Sequence, residues 1–113
     1  MLLRIPKDKA INSIRRAMAG LILANRGLLA QELINKLESH VGDTSGSSLY
    51  PSWCKNDDPS QLMSWGVSEQ HALRRTIHRL RDAFFDFEAA GMSRAANVCR
   101  EFAMIVFREF ATA

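Results

Sequence analysis

The chain has 113 residues, 47% of them hydrophobic and 24% charged, and a formal net charge of +3. That length suits a single domain that buries a core without disulfides or metal, and the balance excludes general disorder. The charge is weaker than the bias of most small nucleic-acid modules, and no stretch approaches the roughly 20 consecutive apolar residues of a membrane-spanning helix.

Residues 1–6, MLLRIP, read as a short extended lead-in, with Pro6 suited to a first helical turn. A first helix is predicted over about 7–25, because Ile11, Ile14, Met18, Leu21 and Ile22 fall on one stripe, with Lys9, Asn12, Ser13 and Arg16 opposite. Asn25-Arg26-Gly27 reads as its stop, with Gly27 free to take the left-handed conformation. A second helix follows over about 28–41, carried by Leu29, Leu33 and Leu37 at four-residue spacing and ended by Gly42. The two are expected to form a tight antiparallel hairpin.

The next stretch, GDTSGSSLYPSWCKNDDP, is dominated by Gly, Ser, Asp and Pro and reads as a long loop at about 42–58. Long loops in compact domains often carry function, and Leu49, Tyr50 and Trp53 are residues a mere spacer does not need. Asp58-Pro59 is a good helix start and opens a short helix over about 59–65, ended by Gly66. Ser68 caps the longest helix, about 69–90, with Gly91 as its stop; Ser93 caps the last, about 94–111.

The fold class expected is therefore all-α. One helical domain spans 1–113, with a helical hairpin at 7–41, the loop at 42–58 and a second helical hairpin at 59–111. It contains four main helices, one short helix and no strand.

The segment RRTIHRLRDAFFDF (74–87) carries the sharpest functional question, because it concentrates arginine and phenylalanine. At about 100° per residue, Leu73, Ile77, Leu80, Phe84 and Phe87 form a seam. Arg74, Arg75, His78, Arg79, Arg81, Asp82 and Asp86 lie opposite. Of the arginines and aspartates on this side, Arg79 has Asp82 within reach at three-residue spacing. Phe85 breaks the pattern by projecting onto the polar side beside Arg74, Arg81 and His78. An aromatic among arginines suits a partner-binding anchor, so Phe85, Arg74, Arg81 and His78 are assigned to a partner surface together with Tyr50 and Trp53. The competing expectation is that a loop or second subunit covers Phe85. In the last helix Ala95, Val98, Cys99, Phe102, Ala103, Ile105, Val106, Phe107 and Phe110 cover an arc of roughly 200°, wider than one neighbour needs. Homodimerisation is expected through Phe102, Val106, Phe107 and Phe110.

Chemistry-bearing patterns are sparse. GDTSGSS lacks the lysine and the strand–loop–helix context of a phosphate loop. His71 and His78 are about 10 Å apart along one helix, too far to share a metal ion. Cys54 and Cys99 have no second Cys or His at ligand spacing and read as reduced thiols of a cytoplasmic protein. No catalytic residue, cofactor or metal is assigned.

Two resemblances bear on function. GLLAQELINKLESHVGDTSGSSLY resembles the start of a helix-turn-helix, although VGDTSGSSLYPSW brings a proline and no basic residue before Lys55. FEAAGMSRAANVCREF is similar to helical hairpins of small PerC-type regulators and tetratricopeptide repeats, through a helix, a glycine and small residues that single out no family. The sequence points first to a small non-enzymatic regulator or adaptor that contacts an unidentified protein partner, as a homodimer. The alternative is a DNA-binding transcriptional regulator using Arg74, Arg75, Arg79 and Arg81, or the degenerate helix-turn-helix.

Overall fold

A computed structural model describes residues 4–41 and 68–112. Among them are four helices and no strand: α1 (Arg4–Leu23), α2 (Gly27–Val41), α3 (Glu69–Ala89) and α4 (Ser93–Thr112). The all-α class holds. The long loop and the short helix expected at 42–58 and 59–65 lie outside the described residues, and so do Tyr50, Trp53 and Cys54.

The helix ends follow from local chemistry, with two corrections. Helix α1 begins at Arg4, so Arg4-Ile5-Pro6 are helical rather than an extended lead-in. Pro6 is tolerated there because amides of the first turn have no intrahelical acceptor to lose. At the other end the left-handed residue is Asn25, at φ 60°, and not Gly27. The Asn25 N–H donates to Ile22 O (2.9 Å) and the Arg26 N–H to Leu21 O (2.7 Å), the two bonds of a Schellman stop. Asn accepts this conformation more readily than other side-chain-bearing residues, which frees Gly27 to open α2. The Ala30 N–H donates to Arg26 O (3.0 Å), so Arg26 both closes one helix and starts the next.

The second connection repeats the device. Ser68 caps α3, its Oγ accepting from the His71 N–H at 3.1 Å, and Glu69 follows in the positive first turn. At the C-terminus Gly91 takes φ 75°. The Met92 N–H reaches Phe87 O (2.8 Å) and the Gly91 N–H reaches Glu88 O (3.0 Å). Helix α4 starts at Ser93, one residue earlier than a Ser93 cap implies, with the Ala96 N–H donating to Met92 O.

Helix α3 is the centre of the packing. It lies against α1 on one side and α4 on the other, and both contacts are far more extensive than that between α1 and α2. The tight hairpin expected of the first two helices is thus not the main pairing. The core between α1, α3 and α4 combines Ile14, Met18 and Leu21 with Leu73, Leu80 and Phe87 and with Phe102 and Val106, all fully buried. From α2 come Leu33, Ile34 and Leu37.

Of the seam expected in α3, Leu73, Leu80 and Phe87 are buried, while Ile77 and Phe84 sit at its edge. Ala72, Thr76 and Ala83 complete the buried face instead, because α3 has to meet α1 as well as α4. The closest approach is at Gly20. A methyl group added there would overlap Thr76 Oγ1 and come within 3.3 Å of the Ala72 carbonyl oxygen. The hydroxyl of Thr76 is fully buried and donates to that same carbonyl at 2.8 Å.

Candidate functional site

Three surfaces of the bundle carry exposed chemistry. The first is on α4. Its wide apolar arc divides in two: Ala95, Ala96, Val98, Cys99, Phe102 and Val106 are buried within the chain, whereas Met104 is 56% and Phe107 57% exposed. Phe102 and Val106 are therefore consumed by the chain's own core, which removes them from any face offered to a second copy. Phe107 remains outside, with the half-buried Phe110 ring 6.5 Å from it. Met104, at i−3 from Phe107, extends the stripe. Ile105 lies on the other flank, where with Leu28 and Leu29 it borders a shallow hollow beside Arg26.

The second surface holds the residues assigned to partner binding on α3. Phe85 is 61% exposed and lies opposite the buried face, its ring edge-on to Phe84 at 5.2 Å. Among the described residues nothing covers it. Arg74, His78 and Arg81 are exposed on the same helix, and the hollow that Phe85 borders is lined instead by Asp82 and Asp86 and by Lys9 and Asn12 of α1. Arg75 and Arg79 point elsewhere, into the seam between α3 and α1. There they line a cleft with Arg16 over a floor that includes Ala19, Gly20 and Ala72. The four arginines of the nucleic-acid alternative are thus divided between two flanks of one helix. The local pairing expected of Arg79 with Asp82 does not form: among the described residues Arg16, Arg75 and Arg79 make no salt bridge.

The third feature is Arg26, which sequence reasoning treated only as part of a turn. Its Nη2 lies 2.6 Å from Glu69 Oε1, its Nε donates to Glu109 Oε1 at 2.8 Å and its Nη1 to Ala24 O at 2.9 Å. One guanidinium thereby joins the end of α1, the start of α3 and the last turn of α4. Burial alone would lower its pKa, but the bonds to Glu109 and Glu69 and their charges outweigh that and raise it. Both carboxylates are more than 40% exposed, so each pair is worth on the order of 1 kcal/mol or less. No local pattern announces this bracket, because its partners lie far along the chain.

No group of three or more His, Cys, Asp or Glu among the described residues has the placement to hold a metal ion. His71 and His78 are exposed on α3. Cys99 is fully buried, and desolvation pushes its thiol up from 9.0 to about 12, against a smaller opposing effect of a backbone contact. A protonated, enclosed thiol is a poor nucleophile. The shift has a consequence for stability. The unfolded chain ionises this thiol near 9 and the folded chain only near 12. The stabilisation is therefore fully present below about pH 9 and is lost as the pH rises through that window. Denaturant unfolding across the window is expected to show a steeper loss in the native sequence than in Cys99→Ala; equal slopes would contradict the assignment.

No helix among the described residues is long and apolar enough to cross a membrane. Compared with known proteins, the chain matches no protein-family model, no curated protein and no solved structure. The functional reading therefore rests on the surfaces described above.

Proposed function

We propose that the protein is a small non-enzymatic regulator or adaptor that acts through protein–protein contacts and self-associates through α4. The observation that carries this reading is the stripe of Met104 and Phe107, each more than half exposed, with the Phe110 ring beside them. Methionine and aromatic side chains are enriched in interface cores, and clustered exposed apolar groups mark contact sites more often than scattered ones do. The stripe neighbours the core but contributes little to it, so its apolar character is not explained by packing among the described residues. Phe85 supplies a second exposed anchor on a different helix, suited to another partner.

The test is the mass in solution. Light scattering at increasing concentration is expected to rise from 12.7 kDa toward twice that value. Phe107→Asp and Met104→Asp are expected to hold the protein at the lower mass while leaving helix content and melting temperature nearly unchanged. A native sequence that stays at 12.7 kDa at high concentration refutes the self-association.

A further inference from the structure

Among the described residues, the charged side chains that line the cleft between α1 and α3 are all of one sign. Arg16 from one helix and Arg75 and Arg79 from the other surround a space of about 110 Å³. None of the three forms a salt bridge among the described residues, although Asp82 lies three positions from Arg79. Three guanidinium groups around a small space repel one another, and an anion seated between them relieves that repulsion while accepting bidentate bonds. The rest of the lining is apolar, from Ala19, Gly20, Leu23 and Ala72. The same small residues that let the helices approach also leave this opening above them.

We infer that this cleft captures an acidic segment of a partner protein. A carboxylate of the segment sits among Arg16, Arg75 and Arg79, and an adjacent apolar side chain rests against Ala19 and Leu23. The inference rests on the reading of the protein as a contact module and names one partner chemistry for it. Charge complementarity favours a short peptide over a nucleic-acid backbone. Further along the same seam, the wall beyond Arg79 carries Asp82 and Asp86. Successive phosphates following the seam would meet those two carboxylates, whereas a peptide presents one acid and then a different side chain. Arg74 and Arg81, which a backbone-tracking surface would recruit, are absent from the cleft lining.

The experiment is selection of a random peptide display library on the full-length protein, followed by titration of the labelled winners. The expected winners carry Asp or Glu beside an apolar residue. Their affinity is expected to fall roughly tenfold in Arg75→Ala and again in Arg79→Ala, as befits loss of a charge-assisted contact. Both side chains lie on the surface of α3, and circular dichroism of the variants checks that folding is intact. Failure to enrich any peptide, enrichment of peptides without an acid, or affinity unchanged in both variants overturns the inference. So does a mixed-sequence DNA duplex bound through the same arginines with a steep salt dependence, which would assign the cleft to phosphate. Self-association measured on the same preparation separates the outcomes: if peptide capture fails while the dimer persists, only this inference falls.

Discussion

Phe87→Ala is expected to destabilise the protein by about 3–5 kcal/mol, the usual cost of deleting a fully enclosed phenyl ring. A small domain has roughly 5–15 kcal/mol in hand, so this one change removes much of it. Phe87 is 0% exposed and belongs to the packed face of α3. Its carbonyl also accepts the Met92 N–H that turns the chain into α4, and Met92 packs against the core at that point. The cavity therefore opens where two helices are joined and where collapse is hardest. Denaturant titration is expected to show a large drop in midpoint with an unchanged slope. Phe85→Ala, two residues away but mostly in solvent, should change stability by no more than about 0.5 kcal/mol. Equal losses from the two substitutions would mean that the rotation of α3 described here is wrong.

Gly20→Ala is the second large effect, and its sign is the informative part. In an isolated helix the change would stabilise by about 1 kcal/mol. Here the new methyl overlaps Thr76 Oγ1 and crowds the Ala72 carbonyl. Thr76 is short, β-branched and fully buried, so it has little freedom to move aside. Overpacking of this kind costs about 1–3 kcal/mol and occasionally more. A net loss of about 1–2 kcal/mol is expected once the helix gain is subtracted. Repeating Gly20→Ala in a Thr76→Ala background should abolish most of the loss, because the overlapping atom is gone, and the difference between the two backgrounds measures the contact directly. A higher melting temperature for Gly20→Ala in the native background would show that the helices do not approach as described.

These two residues mark the boundary of what could be read from the sequence. Large apolar residues announce themselves by their spacing, and Ile14, Met18, Leu21, Leu33, Leu37, Leu73, Leu80 and Phe87 were all legible as buried positions. Small residues carry no such signal. Ala10, Ala17 and Gly20 in α1, Ala24 just after it, and Ala72 and Ala83 in α3 are fully or almost fully buried, yet a periodicity argument passes over them. Which helix pairs with which is not encoded in periodicity at all, and the short connection from α1 to α2 gives no sign that α1 packs more extensively on α3. The broad arc of α4 was visible, but its division between core and surface depends on where α3 and α2 stand. The reading therefore placed Phe102 and Val106 outside along with Phe107. At the first turn the sequence pointed to Gly27 as the left-handed residue, whereas the hydrogen bonds to Ile22 and Leu21 place it at Asn25. Of the candidate surfaces, Phe85 was legible because it broke a pattern. The arginine cleft was not, because Arg16 and Arg79 come together only through the pairing of distant helices.

That pairing sets the order of events as the protein is made. Among the described helices the main mate of α1 is α3, which lies beyond α2 and residues 42–67 in the chain, so the apolar stripe of α1 is synthesised well before that partner. Closing so long a segment costs chain entropy before any contact is gained, and acquisition of the native state is paced by that encounter rather than by coiling of the individual helices. A nascent chain halted after residue 41 would expose Ile14, Met18 and Leu21 to whatever sticky surface the cell provides.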